Sequence, residues 1–169
     1  NKYETDVIVI GGGPSGIVSA IAAARQGAGV ILVEKGQFLG GTATSGMICE
    51  IDAPCKDGIS ILPSVGRELV QRLIDLNAAV YEENVPMTSN PAISCDRIRF
   101  NPEHMKLVLD EMVTSHNIRV FFSCMLKKVD SCPQGVCVTL TNQYSDVELT
   151  GKVLVDASGN SEAVYLLDE

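Results

Sequence analysis

The sequence predicts an α/β fold, a parallel sheet flanked by helices with a small β-meander crossover. Three observations point there. The runs Val7-Ile8-Val9-Ile10 and Val30-Ile31-Leu32-Val33 lack the alternation of a half-exposed strand and suit strands buried on both faces. Between them, residues 17–26 are Ala-rich and stop at Gly27, which gives a helix and completes one strand-helix-strand unit within about 30 residues. Nearer the carboxyl end, three short alternating segments give the meander.

The elements follow in order. From Gly36 to about Pro102, Gly and Pro recur, and the reading is a connection of mixed character. It holds one helix over residues 65–76, where Val65, Leu69, Leu73 and Leu76 share a face. A second helix is expected to start with Asn101 as N-cap and Pro102 at its first position. There Met105, Val108, Leu109, Met112 and Val113 repeat at the spacing of one buried face, and the helix should end near His116-Asn117. Residues 118–122 read as a strand, and residues 126–130, 136–141 and 147–150 as the meander. Val153-Leu154-Val155 reads as a further buried strand running into the small-residue turn Asp156-Ala157-Ser158-Gly159.

Composition excludes several classes of function. A chain of 169 residues with 46% hydrophobic content has material for one domain and a core. Thirteen Lys and Arg against 21 Asp and Glu give a net charge of −8 and a pI near 4.7, the wrong sign for broad binding to nucleic acid or anionic lipid. With no Trp and 5% aromatic residues, a stacking platform for single strands is excluded as well. Residues 7–24 carry no charge over 18 positions, but Gly11-Gly12-Gly13-Pro14-Ser15-Gly16 breaks them, so no membrane span is expected. The first residues do not resemble a secretion signal, and a cytoplasmic location is the expectation. Self-association to a homo-oligomer is left open.

Six cysteines at irregular spacing, without a CxxC pair, are expected to be reduced thiols with structural roles, and no metal site is expected. His104 and His116 fall on the second helix and read as surface or capping residues. No Gly-x-Ser-x-Gly elbow or other nucleophile-base pair is present, so no catalytic residue can be assigned.

The chemistry lies in Gly11-x-Gly13-x-x-Gly16, placed between a strand and a helix, the context that makes a Rossmann-like reading specific. Gly11 allows the tight turn, Gly13 leaves room for a pyrophosphate against the backbone, and Gly16 with Ala20 lets the helix pack closely. Free N–H groups at the helix start then hold the anion without a lysine. The pattern also satisfies half of a P-loop, but Ile17 and Val18 stand where Lys and Ser or Thr would be required. Glu34 lies 18 residues after Gly16 at the end of the second strand, where it can accept both hydroxyls of an adenosine ribose and repel a 2′-phosphate.

That fingerprint leaves NAD and FAD open. Residues 7–34 together with Lys35-Gly36-x-x-x-Gly40-Gly41-Thr42-Ala43-Thr44-x-Gly46 resemble the amino-terminal end of FAD-dependent oxidoreductases of the glutathione-reductase-like superfamily, especially the group with a Gly-Gly-Thr-Ala-Thr segment. The Phe100-Asn101-Pro102-Glu103 helix start and the Asp156-Ala157-Ser158-Gly159 turn are similar to the same family, while residues 54–99 match loosely. The resemblance implies FAD as cofactor and hydride or electron transfer as chemistry, with no substrate named. It implies that Gly11, Gly13, Pro14, Ser15 and Gly16 contact the pyrophosphate, Glu34 the adenosine ribose and Lys35 the adenine side. Gly41 and Thr42 would approach the pyrophosphate and ribityl chain, Leu126 would present backbone to adenine, and Ala157, Ser158 and Gly159 would line the adenosine pocket.

Two departures from the family matter. Disulfide reductases carry a redox cysteine where this chain has Ala43 and another where it has Ile48, so that mechanism is excluded. Asn160 stands where relatives usually carry Asp. Other readings of the opening motif are an NAD-binding dehydrogenase domain, a non-catalytic nucleotide-binding domain, and the thiazole synthases and flavin tRNA-modifying proteins that share it. Residues 1–169 are expected to be an incomplete FAD- or dinucleotide-binding domain that binds FAD weakly by itself, with the substrate domain outside this chain.

Overall fold

The structure is a computed structural model, which describes residues 1–167 apart from 57, 58, 61, 63 and 88, with backbone alone for 54–56, 59 and 60. Strand β1 (Lys2–Ile10), helix α1 (Pro14–Arg25) and strand β2 (Val30–Val33) form the expected unit, and β1 and β2 pair in parallel with Val7 opposite Val30. Helix α1 begins at Pro14, three residues earlier than its apolar pattern suggests, because proline at the first position fits the helix without its missing N–H. At the other end Gly27 takes φ +84° and its N–H donates to the Ala24 carbonyl at 2.9 Å, which closes the helix.

The connection that follows departs from expectation. After a 3-10 turn (Gly41–Ala43), the chain builds an antiparallel sheet from β3 (Glu50–Lys56), β4 (Ile59–Ser60), β5 (Ala79–Pro86) and β6 (Ser94–Phe100), in the order β4-β3-β6-β5. Helix α2 (Ser64–Asp75) lies between β4 and β5, where a helix was expected. The strands escaped a reading by composition because their exposed face is charged. Arg97 forms a two-bond pair with Asp52 at 2.8 and 3.0 Å, and Arg99 pairs with Glu50 at 2.9 Å and Glu82 at 2.7 Å. Ile98 and Phe100 alternate with these arginines and enter the core.

Helix α3 (Pro102–Ser115) starts as expected, with Asn101 Oδ1 accepting from the N–H groups of Glu103 and His104. At its far end His116 Nδ1 lies 2.7 Å from the Met112 carbonyl oxygen, which makes it a capping residue. Strand β7 (Arg119–Phe121) then joins β2 in parallel, and the chain enters β8 (Met125–Cys132), β9 (Gly135–Thr141) and β10 (Asp146–Asp156) before the short helix α4 (Glu162–Leu167), which no sequence signal had marked. The segments read as two strands at 147–150 and 153–155 are one strand. β10 pairs antiparallel with β9 through its first half and parallel with β1 along its length, so the meander and the parallel strands share one sheet, ordered β7-β2-β1-β10-β9-β8.

The pleat divides the core into two layers. Val9 and Leu32 face Ile17, Ala20 and Ile21 of α1, Met105 and Met112 of α3, and Leu73 of α2. Ile8, Ile10, Ile31 and Val33 point the other way and meet Val138, Leu140 and Leu149 of the meander. Both faces are covered, so the carboxyl ends of β1, β2 and β10 lead their loops to one edge. Among the described residues no helix is long and apolar enough to cross a membrane.

Candidate functional site

At that edge Gly11 turns the chain with φ +103°, a left-handed backbone that side chains disfavour, and a Cβ there would lie 2.3 Å from the Ala157 carbonyl oxygen. Gly16 is the close contact between α1 and this turn, since its Cβ would stand 1.8 Å from the Gly11 carbonyl oxygen. Gly13 differs from both. Its φ of −76° suits any residue, and a Cβ there would meet no protein atom within 4 Å. The absent side chain relieves no clash; it leaves room at the head of α1. No acidic residue occupies the first turn, and the internal ladder begins with Ile17 N–H on the Gly13 carbonyl at 3.0 Å. The N–H groups of Ser15 and Gly16 lie ahead of that ladder, at the positive end of the helix dipole.

Glu34 crosses to this loop from the end of β2. Its Oε2 accepts the Gly12 N–H at 2.7 Å and its Oε1 the Gly36 N–H at 2.5 Å, and each oxygen keeps capacity for a hydroxyl donor. Gly12, a free position in the motif, is closely fitted: a Cβ on it would lie 2.8 Å from Glu34 Oε2 and 2.7 Å from Leu39 Cδ2, so both side-chain ends would have to shift. The motif pattern missed this residue, although the unbroken run of three glycines was visible. Lys35 Nζ lies 3.5 Å from Glu162 of α4.

The Gly-Gly-Thr segment leans on the same loop. Gly40 N–H donates to the Gly12 carbonyl at 2.8 Å, and a Cβ on Gly41 would approach the Gly13 Cα to 3.0 Å. Buried Thr44 ties the turn down by donating to the Leu39 carbonyl at 2.6 Å. Thr42 is left at the rim.

The third side is the turn after β10. Ala157 N–H donates to the Ile10 carbonyl at 2.8 Å, which joins this turn to the end of β1. Asp156 organises it: Oδ1 accepts the Ser158 N–H at 3.0 Å and the Ser158 hydroxyl at 2.6 Å, while Oδ2 accepts the N–H groups of Ala163 and Val164 at 2.9 and 3.2 Å. Burial works to raise the Asp156 carboxyl, but these hydrogen bonds together outweigh it and hold the group below its ordinary value. Because Asp156 supplies the organising charge, the neutral Asn160 leaves the turn intact.

These segments enclose a groove of about 570 Å³, within the range of small-molecule sites. It is lined by Gly11, Gly13, Pro14, Ser15, Glu34, Lys35, Gly41, Thr42, Leu126, Ala157, Ser158 and Gly159; Gly16, the remaining position singled out by sequence, is buried behind Gly11. Gly36 of the Lys35-Gly36 segment also lines it, as do Ser45, Cys124, Met125 and Glu162, which carried no motif signal. A second cavity of about 220 Å³ lies on the other side of Pro14 and Thr42, walled mainly by apolar side chains of α1, α2 and α3. Of the two spaces, only the groove offers backbone donors to an anion. It combines an open cradle at Gly13 with a carboxylate at the end of β2.

Comparison with known proteins gives the family and the shared fold. Residues 6–167 match the model of the family described as FAD dependent oxidoreductase. The chain is 27% identical over 160 residues to digeranylgeranylglycerophospholipid reductase 2 of Methanosphaera stadtmanae, covering 92% of this chain and 39% of that protein. Over 42 residues it is 52% identical to the mitochondrial dihydrolipoyl dehydrogenase of Caenorhabditis elegans, a quarter of this chain (25%) and 8% of the relative. Among solved structures, Thermovibrio ammonificans THI4 superposes with a TM-score of 0.64 at 22% identity, over 96% of this chain and 61% of that one, which shows the shared fold. The chain therefore spans less than two thirds of the length of each of these relatives. With the family model covering nearly its whole length, the chain belongs to the FAD-dependent oxidoreductases.

Proposed function

We propose that the chain is the FAD-binding part of an oxidoreductase of the glutathione-reductase-like kind, holding the cofactor non-covalently in the groove at the carboxyl edge of the sheet. The observation that carries this is the open space at Gly13, set at the head of a helix with no first-turn acid and no side-chain cap. FAD bound there would supply hydride and electron transfer. The residues of this chain bind and orient it. Ser15 and Gly16 offer N–H donors to the pyrophosphate, with Gly11, Gly13 and Pro14 shaping the approach. Glu34, held by Gly12 and Gly36, accepts from the adenosine ribose, and Lys35 flanks the adenine side. Gly41 and Thr42 border the pyrophosphate and ribityl chain. Leu126 and Ala157-Ser158-Gly159 close around the adenosine, the last three held by Asp156. The short, high-identity match to a dihydrolipoyl dehydrogenase supports the superfamily, while Ala43 and Ile48 remove its cysteine pair. The substrate domain then lies outside these 169 residues. The visible spectrum of the purified full-length protein tests this reading: a flavin spectrum released on denaturation is expected, and a colourless protein whose melting temperature ignores added FAD contradicts it.

A further inference from the structure

The hairpin of β8 and β9 brings two thiols together away from the groove. Asp130 stands opposite Cys137 and Cys132 opposite Gly135, so Cys132 and Cys137 are diagonal neighbours on one face, joined by the turn at Pro133-Gln134. Their sulfur atoms lie 2.6 Å apart, with Cys137 donating to Cys132 and the Thr150 hydroxyl 3.8 Å from the Cys137 sulfur. Both thiols are partly exposed, and the turn between them is exposed, so a small reagent can reach the pair. Cys95 and Cys124, by contrast, are buried.

We propose that Cys132 and Cys137 form a reversible dithiol-disulfide couple, closed by exchange with a small disulfide of the glutathione disulfide class. One cysteine thiolate attacks a sulfur of the small disulfide, breaks its S–S bond, expels one thiolate and forms a mixed disulfide. The second cysteine then attacks the protein sulfur of that mixed disulfide and expels the second thiolate. Overall, two protein thiols are oxidised to one disulfide, one small disulfide is reduced to two thiols, and two protons pass from the cysteines to the solvent and the released thiolates. The two sulfurs already touch across adjacent strands, so closure asks for no rearrangement of the hairpin's pairing. The Cys132 thiol lies above its ordinary value, through the proton shared with Cys137 and then burial, so closure quickens as pH rises. Neither cysteine lines the groove, so the couple works independently of the cofactor.

The test is to incubate the reduced chain with glutathione disulfide, trap the remaining thiols by alkylation and weigh the peptide that spans both residues. The expected product is that peptide, unalkylated and lighter by two hydrogens, restored by dithiothreitol. In the Cys132→Ser and Cys137→Ser variants the remaining cysteine should instead keep a glutathione adduct, since its resolving partner is gone. Two alkylated thiols in the wild-type peptide, or a stable glutathione adduct there, overturns the proposal. The wild-type result is decisive even if a variant fails to fold.

Discussion

Gly16 and Gly13 answer to different physical demands in one loop, and single substitutions separate them. Gly16→Ala pushes a methyl group into the Gly11 carbonyl at 1.8 Å, so it should cost more than about 2 kcal/mol of stability, measured by urea unfolding. Gly13→Ala adds its methyl to open space with an ordinary φ, and its stability should fall by no more than about 1 kcal/mol, the step from Gly to Ala at an N-cap. Its affinity for FAD or ADP should nevertheless fall at least about tenfold, as read by fluorescence or calorimetry, because the methyl occupies the pyrophosphate approach. An equal loss of stability in both variants would mean that Gly13 serves packing alone.

Asp156 yields a pH-dependent prediction. Its folded-state pKa is depressed, so its contribution is fully present above the unfolded value of about 3.9 and is lost as pH falls through the folded value. At neutral pH Asp156→Asn should destabilise by about 1 kcal/mol, the typical worth of such a cap, and the difference from wild type should shrink below about pH 4. A difference that does not change with pH would show that charge plays no part in this turn.

At the scale of elements, legibility followed how each strand or helix is solvated. The parallel strands were readable because burial on both faces leaves only apolar residues, and α3 was readable because Asn101, Pro102 and a five-residue apolar face all agree. Asn101→Ala should cost about 1 kcal/mol in stability and leave FAD affinity unchanged, since the cap lies outside the groove. A loss of affinity without a loss of stability would tie α3 to the site. The antiparallel sheet was hidden because Glu50, Asp52, Arg97 and Arg99 satisfy one another across strands, which composition reads as a polar connection. Gly151 and Lys152 made β10 look like two strands, although its pairing with β1 includes Gly151 and resumes at Val153. In the site, glycines and Glu34 announce themselves by fixed spacing, whereas Cys124, Met125 and Glu162 arrive through tertiary folding and carry no spacing signal.

At the scale of the whole molecule, three loops from distant parts of the chain meet at one sheet edge, and each is tied to the loop after β1. Gly40 bonds to Gly12, Glu34 bonds to Gly12, and Ala157 bonds to Ile10. This mutual support explains how a chain with a net charge of −8 can offer a local site for a pyrophosphate: the donors are backbone N–H groups and a helix dipole, not a basic surface. On the proposed function, this groove takes FAD by way of the Gly13 cradle. This binding is tested most directly by the melting temperature of the 169-residue chain and of its Gly13→Ala variant, titrated in parallel with FAD and NAD. FAD should raise the wild-type melting temperature more than NAD does, even if millimolar ligand is needed, and the variant should melt close to the wild type but lose the response. A larger response to NAD, or an equal response to FAD in both proteins, would contradict this.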